Sequence, residues 1–261
     1  MQVVIVNCAQ EVASLGARHC LNLITAKPEA VLGLATGSTP VALYAELIEL
    51  QARGSISFAQ CRSFNLDEYI GLDPGHPQSY RYFMNAHLFD HIDIDKNNTY
   101  VPNGMSDPQQ SAEAYEKQIA TAGGIDLQIL GVGRNGHIGF NEPSSSLVSR
   151  TRIKTLTGGT IADNQRFFNK DEFQPSLAIT MGIGTILESR KILLLATGAS
   201  KAKAVRDLVG APLSASCPAS ALQMHNSTVV IIDREAASEL VHSEYYQQVK
   251  LETEQLANDN D

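Results

Sequence analysis

Short runs of apolar, largely β-branched residues recur along the chain, separated by stretches whose apolar positions fall three and four apart. The runs are Val3–Val6, Val31–Ala35, Arg62–Leu66, Leu127–Gly131, Ala178–Thr180, Ile192–Ala196 and Val229–Ile232. Hydrophobicity that is continuous rather than alternating marks strands covered on both faces. Between the first two runs, Val12, Leu15, His19 and Leu23 share one face of a helix predicted over Glu11–Ala26. Pro40–Arg53 is predicted as the next helix, with Pro40 at its first position behind Ser38 and Thr39. Ser79–Phe89, Pro108–Ala122, Ser200–Val209 and Glu235–Leu251 read as further helices, and about ten last residues, rich in Glu, Asn and Asp, as frayed. Strands alternating with helices predict an α/β fold: one domain over residues 1–261, its sheet mainly parallel, with helices on both faces in a modified Rossmann-like arrangement.

In such a sheet ligands collect beyond the carboxyl ends of the strands, so the loops that follow strands carry the candidate chemistry. The loop Thr36–Pro40 runs from a strand into a helix through Gly37, Ser38 and Thr39. Its small residues and helix-start N–H groups suit a phosphate, while an ordinary N-cap in a βα turn would use the same serine or threonine. Asp67 and Glu68 stand side by side at a strand end. Adjacent carboxylates repel, so one can be raised in pKa toward proton abstraction; a turn or helix cap is the commoner use of such an acid. The third loop, Gly131–Pro143, begins as G-x-G-x-x-G. A dinucleotide site is rejected, because Pro143 interrupts the helix that should follow and His137, Asn141 and Glu142 occupy its place. His137, Asn135, Asn141 and Glu142 in one glycine-rich turn are costly to bury without purpose, which favours catalysis. Lys201, in a strand-to-helix turn, and Arg166, beside Phe167 and Phe168, are cations able to clamp a phosphate or simply to be solvated or salt-bridged. His87 and His91, four apart on a predicted helix, lack a neighbouring glutamate and a third ligand, so a surface pair is expected rather than zinc.

Composition adjusts this picture only in part. Of 261 residues, 28 are acidic and 20 are Lys or Arg, a formal charge of −8. Seven of those acids lie from Glu235 onward with only Lys250 against them, so the remainder is near neutral. The acidic balance argues against nucleic acid or an anionic membrane as partner, yet leaves room for a local anion site. Cys8, Cys20, Cys61 and Cys217 form no C-x-x-C pair, and Met1–Asn7 lacks the basic flank of a signal peptide. No apolar run approaches the ~20 residues of a membrane span. A reducing cytoplasm is the expected location.

Leu34–Pro40, Phe64–Tyr69, Gly131–Pro143, Ser149–Thr157, Asn164–Phe168 and Thr197–Lys201 together resemble the glucosamine-6-phosphate deaminase family, in the family's order and over essentially the whole chain. G-H-I-G-F-N-E-P combined with F-N-L-D-E-Y is the specific part. The resemblance implies conversion of D-glucosamine 6-phosphate to D-fructose 6-phosphate and ammonia in amino-sugar catabolism, with no metal or organic cofactor. It makes His137 the ring-opening base, oriented by Glu142 and Asn135, and Asp67 the carrier of the proton between C2 and C1. Thr36, Gly37, Ser38, Thr39, Arg166 and Lys201 would hold the 6-phosphate. Many members have Asp where this chain has Asn135; Asn can orient the imidazole but adds no charge to stabilise its cation. Some members are hexamers activated by N-acetylglucosamine 6-phosphate, which implies a homo-oligomer and an allosteric site at Ser145, Arg152 and Lys154. The same Arg and Lys would equally suit a plain strand surface. Rival readings are a galactosamine-6-phosphate deaminase, a 6-phosphogluconolactonase, which needs no proton relay between C1 and C2, and a sugar-phosphate sensor, which would leave Asp67 without a task.

Overall fold

The computed structural model describes residues 1–158 and 173–258. Along the chain come β1 (Gln2–Val6), α1 (Ala9–Ala26), β2 (Val31–Leu34), α2 (Ser38–Ala52), β3 (Arg62–Asn65), β4 (Asp67–Tyr69), α3 (Tyr80–His87), β5 (Thr99–Tyr100) and α4 (Pro108–Thr121). Then follow β6 (Leu127–Leu130), β7 (Arg152–Thr155), β8 (Leu177–Thr180), α5 (Ile183–Leu187), β9 (Lys191–Ala196), α6 (Ala202–Gly210), β10 (Thr228–Asp233) and α7 (Ser243–Asn258).

Among the described residues, seven strands form a parallel sheet in the order β1-β10-β9-β6-β2-β3-β5. Successive residues of each strand face opposite sides, and both sides are apolar. In β1, Val3 and Ile5 enter one core with α4 and α6, while Val4 and Val6 enter the other with α1, α2 and α3. That two-sided demand is why the strands read as unbroken hydrophobic runs. Helix starts follow local chemistry: Ser79 caps α3 and Asp107 caps α4, with Pro108 in its first turn. From β2 the chain goes outward to β3 and β5, and then returns to β6 on the other side of β2. The loops after β2 and β6 therefore diverge at the switch point, where a crevice opens.

Four expectations are corrected. Ala178–Thr180 does not join the parallel sheet; β8 lies at the centre of a second, antiparallel sheet, β4-β8-β7. Helix α2 begins at Ser38 with Gly37 as N-cap, two residues before Pro40. The helix expected from Glu235 begins at Ser243, because the Asp233 carboxylate accepts the N–H groups of Ala236 (2.8 Å) and Gly198 (3.0 Å) and folds the chain into turns. Ala236 and Ala237 are buried by those turns, and α7 carries the helix on through Asn258, across residues expected to fray. His87 and His91 do not share a helix: α3 ends at His87, and His91 sits in a 3-10 turn with its Nε2 2.9 Å from the Ala86 carbonyl.

Candidate active site

The break between β3 and β4 builds one wall of the crevice. Leu66 gives its N–H to the Leu34 carbonyl in the large sheet (3.1 Å), and its own carbonyl accepts the Met181 N–H (2.7 Å). One residue thus ties both sheets together, and the next, Asp67, starts β4 opposite Thr180. Alternation along β4 sends the side chains of Asp67 and Glu68 to opposite faces. Asp67 lines a cavity of about 580 Å³ together with Thr36, Gly37, Ser38, Thr39, Asn135, His137 and Lys201. Glu68 turns away from that cavity and lies beneath the N-terminus of α3. Its Oε1 accepts the N–H groups of Tyr69 (2.9 Å) and Tyr80 (3.0 Å), and its Oε2 accepts the Ser79 hydroxyl (2.8 Å) and the Arg81 N–H (3.0 Å). The capping reading of the acidic pair thus fits Glu68, and Asp67 is the member of the pair that lines the cavity.

Burial pushes the Asp67 carboxyl up to about 8, and the neighbouring Glu68 charge adds to it, against hydrogen bonding from Thr180 and Phe140. The Thr180 hydroxyl lies 3.5 Å from Asp67 Oδ2 and accepts the Phe140 N–H at 3.0 Å. A buried carboxyl of this kind, open on one side to a cavity, is suited to accept and return a proton near neutral pH.

Across the cavity, the loop after β6 presents His137. A Cβ on Gly133 would fall 2.2 Å from His137 Cε1, so the ring rests against bare backbone that no other residue could provide. His137 Nδ1 stands 3.4 Å from Glu142 Oε2, which also accepts Asn135 Nδ2 at 2.7 Å. The Asn135 carbonyl oxygen accepts the His137 N–H at 3.2 Å. Glu142 is buried, so its carboxyl is fixed beside the Nδ1 edge of the imidazole. Asn141 is structural by geometry: its amide donates to the Ile138 (2.9 Å) and Met181 (2.8 Å) carbonyls and pins this loop to the second sheet.

The first turn of α2 brings the N–H groups of a helix start to the cavity, and Lys201 reaches it from the turn before α6, groups of the kind that bind an anion. Arg166 lies outside the described residues. Ser145, Arg152 and Lys154 do not line this cavity. Ser145 is buried with no partner for its hydroxyl, and Arg152, on β7, donates to Asn141 Oδ1 at 2.9 Å. Sequence reading missed Tyr80, whose ring lines the cavity and stacks on Phe140 at 5.9 Å, and Thr180. Neither carries a local signal, since Thr180 lies 113 residues from Asp67 along the chain.

A parallel sheet whose switch point holds a helix-start anion cradle, a raised carboxyl and a braced imidazole defines an α/β enzyme for a small anionic substrate. The chain belongs to the glucosamine-6-phosphate isomerase/6-phosphogluconolactonase family, whose sequence profile matches residues 6–231. It is 63% identical over 253 residues to a glucosamine-6-phosphate deaminase of Hahella chejuensis, covering 97% of each chain. It is 62% identical over 257 residues to one of Cellvibrio japonicus, covering 98% of each. A solved structure described as a monomeric glucosamine-6-phosphate deaminase superposes with a TM-score of 0.89 at 45% identity, over 92% of this chain and all (100%) of that one. The 6-phosphogluconolactonase of Trypanosoma cruzi, 19% identical, shares the fold with a TM-score of 0.72 over 92% of this chain and 97% of its own.

Proposed function

We propose that this protein converts D-glucosamine 6-phosphate and water to D-fructose 6-phosphate and ammonia, an aldose–ketose isomerisation with loss of the amine. The observation that carries the reading is the placement of Asp67 and His137 on one cavity whose far end is the α2 cradle. His137 takes the proton of the anomeric hydroxyl and delivers one to the ring oxygen, which opens the sugar. Glu142, 3.4 Å from Nδ1, would orient the imidazole once the ring is protonated there, and Asn135 ties Glu142 to the His137 backbone without adding charge. Asp67 then removes the C2 proton, leaving an enolamine, and returns a proton to C1. The resulting C2 iminium adds water and expels ammonia, which leaves the ketose. Thr36, Gly37, Ser38 and Thr39, with Lys201 and Arg166, hold the 6-phosphate remote from C1 and C2, so binding energy there serves to position the reacting carbons. The step between C1 and C2 is what separates this reading from a lactonase on the same fold.

The reading extends to a homo-oligomer with an activator site for N-acetylglucosamine 6-phosphate at Ser145, Arg152 and Lys154. The buried, unpartnered Ser145 hydroxyl and the link from Arg152 to Asn141 support it. Sedimentation with and without the activator tests it, and a monomer with unaltered kinetics would remove the extension. The four cysteines are unpaired, in keeping with a reducing cytoplasm, and no described helix is long and apolar enough to cross a membrane. Ammonia release from glucosamine 6-phosphate and from galactosamine 6-phosphate tests the reaction itself. Turnover of the first is expected; turnover of only the second would assign the C4 epimer, and turnover of neither would end the deaminase reading.

A further inference from the structure

Glu68 is 3% exposed, outside the cavity lining, and has no step in the reaction. Its surroundings are nonetheless specific. Three backbone N–H groups and the Ser79 hydroxyl converge on its two oxygens, all within 2.8–3.0 Å. Only the ionised carboxylate can accept four donors at once, because a carboxylic acid would turn its own O–H against one of them. Three of these donors, Ser79, Tyr80 and Arg81, form the N-terminus of α3, where the helix dipole further favours an anion. Asp67, its neighbour in β4, has no such set: the long contact to the Thr180 hydroxyl and the Phe140 N–H are what act on it. Burial raises both carboxyls, but at Glu68 these four hydrogen bonds work against it, so of two buried carboxyls one residue apart Glu68 is the one that ionises first.

We infer that Glu68 is a positioning residue for the reaction: a fixed buried anion, bonded by the α3 N-terminus, that acts through Asp67 to make the Asp67 carboxylate a stronger base toward the C2 proton. The inference rests on the deaminase reading of the cavity. Its physical content is that a permanent negative charge one residue away disfavours a second charge on Asp67, in addition to the effect of burial. Without Glu68, Asp67 would be a weaker base. Three of these four hydrogen bonds join β4 to α3, so they also place Tyr80 on the cavity wall beside Asp67. The other titratable groups facing this pair are Tyr69 on β4, Tyr80 and Arg81 on α3 and Tyr115 on α4. Arg134, His137 and Lys201 face it across the cavity. Arg81 is a cation that interacts with Glu68 electrostatically, but its guanidinium is directed to the Thr99 hydroxyl and carbonyl, each at 2.7 Å.

The test is a carbon-13 NMR titration of the side-chain carboxyls, with Asp67 assigned by its loss in Asp67→Asn and Glu68 by its loss in Glu68→Gln. In the unaltered protein Glu68 should release its proton at lower pH than Asp67. In Glu68→Gln the Asp67 midpoint should fall by about one pH unit or more, with the acid limb of kcat/KM moving down by the same amount. Ser79→Ala removes the helix cap and one donor but keeps the charge; it should lower Tm and leave the Asp67 midpoint in place. Asp67 ionising before Glu68, an unmoved midpoint in Glu68→Gln, or an equal shift in Ser79→Ala would each overturn the inference. The first of these is read in the unaltered protein. Ammonia release judges the reaction separately: turnover with an unmoved midpoint sinks only the role of Glu68, and a moved midpoint without turnover sinks only the deaminase reading.

Discussion

Asp67 is held where its charge is unwelcome, and this has consequences for rate and for stability. In the proposed role of carrying the C2 proton it should be irreplaceable by an amide, which has no basic lone pair to offer. Asp67→Asn is expected to lower kcat by about 10²–10⁴-fold or more while substrate affinity stays within a few-fold, measured by ammonia release and by calorimetric binding. Loss of binding with it would reassign Asp67 to the substrate's grip. The stability effect has the opposite sign. The Asp67 carboxyl is raised from its ordinary 3.8 to about 8. Below 3.8 both folded and unfolded chains hold its proton. Between 3.8 and about 8 the unfolded chain has released it and the folded chain has not, so stability falls with rising pH until the folded group titrates. An uncharged amide at this position would carry no such loss. The Asp67→Asn variant should therefore melt above the unaltered protein by a margin larger at pH 9 than at pH 5, and an equal margin at both would contradict the raised carboxyl. A site residue that costs stability is a common trade. That an acid with catalytic potential stands at position 67 was legible in the sequence; its proton affinity was not, because that depends on burial and on what Glu68 is bonded to.

At the scale of elements, β4 decides the site. It is a three-residue strand pulled out of the large sheet at Leu66 and laid against β8, whose sequence neighbours lie more than a hundred residues away. Its outer side is closed by the chain before α4: a Cβ on Gly104 would lie 1.9 Å from the Tyr69 carbonyl oxygen, and the Gly104 carbonyl accepts the Gly71 N–H at 3.0 Å. Gly104→Ala must push one segment off the other. It is expected to cost about 1–3 kcal/mol and to lower kcat more than it raises KM, read by denaturant unfolding and steady-state kinetics. Retained stability and rate would show that β4 is not held from this side. The strands of the large sheet were legible because two-sided burial leaves continuous apolar runs. The second sheet was not, for a physical reason: β7 reads Arg-Ile-Lys-Thr and is at most half-buried, so nothing in its hydrophobicity marks it as a strand. The turns after β10 were misread as helix because Ala236, Ala237 and Leu240 have helical spacing, while the Asp233 carboxylate closes a turn on Ala236 instead.

Across the whole molecule, chemistry and stability sit at opposite ends of the sheet. The cavity lies beyond the carboxyl ends of β2, β3 and β6. At the amino ends, Asp126 accepts the Val31 N–H at 2.8 Å and pairs with Lys27 (2.9 Å) and Arg190 (3.0 Å), so it joins the starts of β2, β6 and β9. Asp126 is buried while Lys27 is partly and Arg190 more fully solvated, so the pairs are worth less than a dry triad. Asp126→Ala is expected to destabilise by about 2–3 kcal/mol, chiefly by orphaning the Val31 N–H and both cations, with kcat/KM unchanged at a temperature where the variant is folded. A loss of kcat/KM there would mean that the two ends are coupled.

The sequence by itself determined the parallel core, since only strands covered on both faces require such runs, and it singled out loops whose residues meet at one cavity. It also placed most of the formal charge of −8 beyond Glu235, away from every candidate site residue. Tertiary structure alone decided between Asp67 and Glu68. The two are adjacent and chemically alike, but alternation along β4 turns one into the cavity and the other under α3. One then keeps a proton because few donors reach it, and its neighbour gives one up because four do.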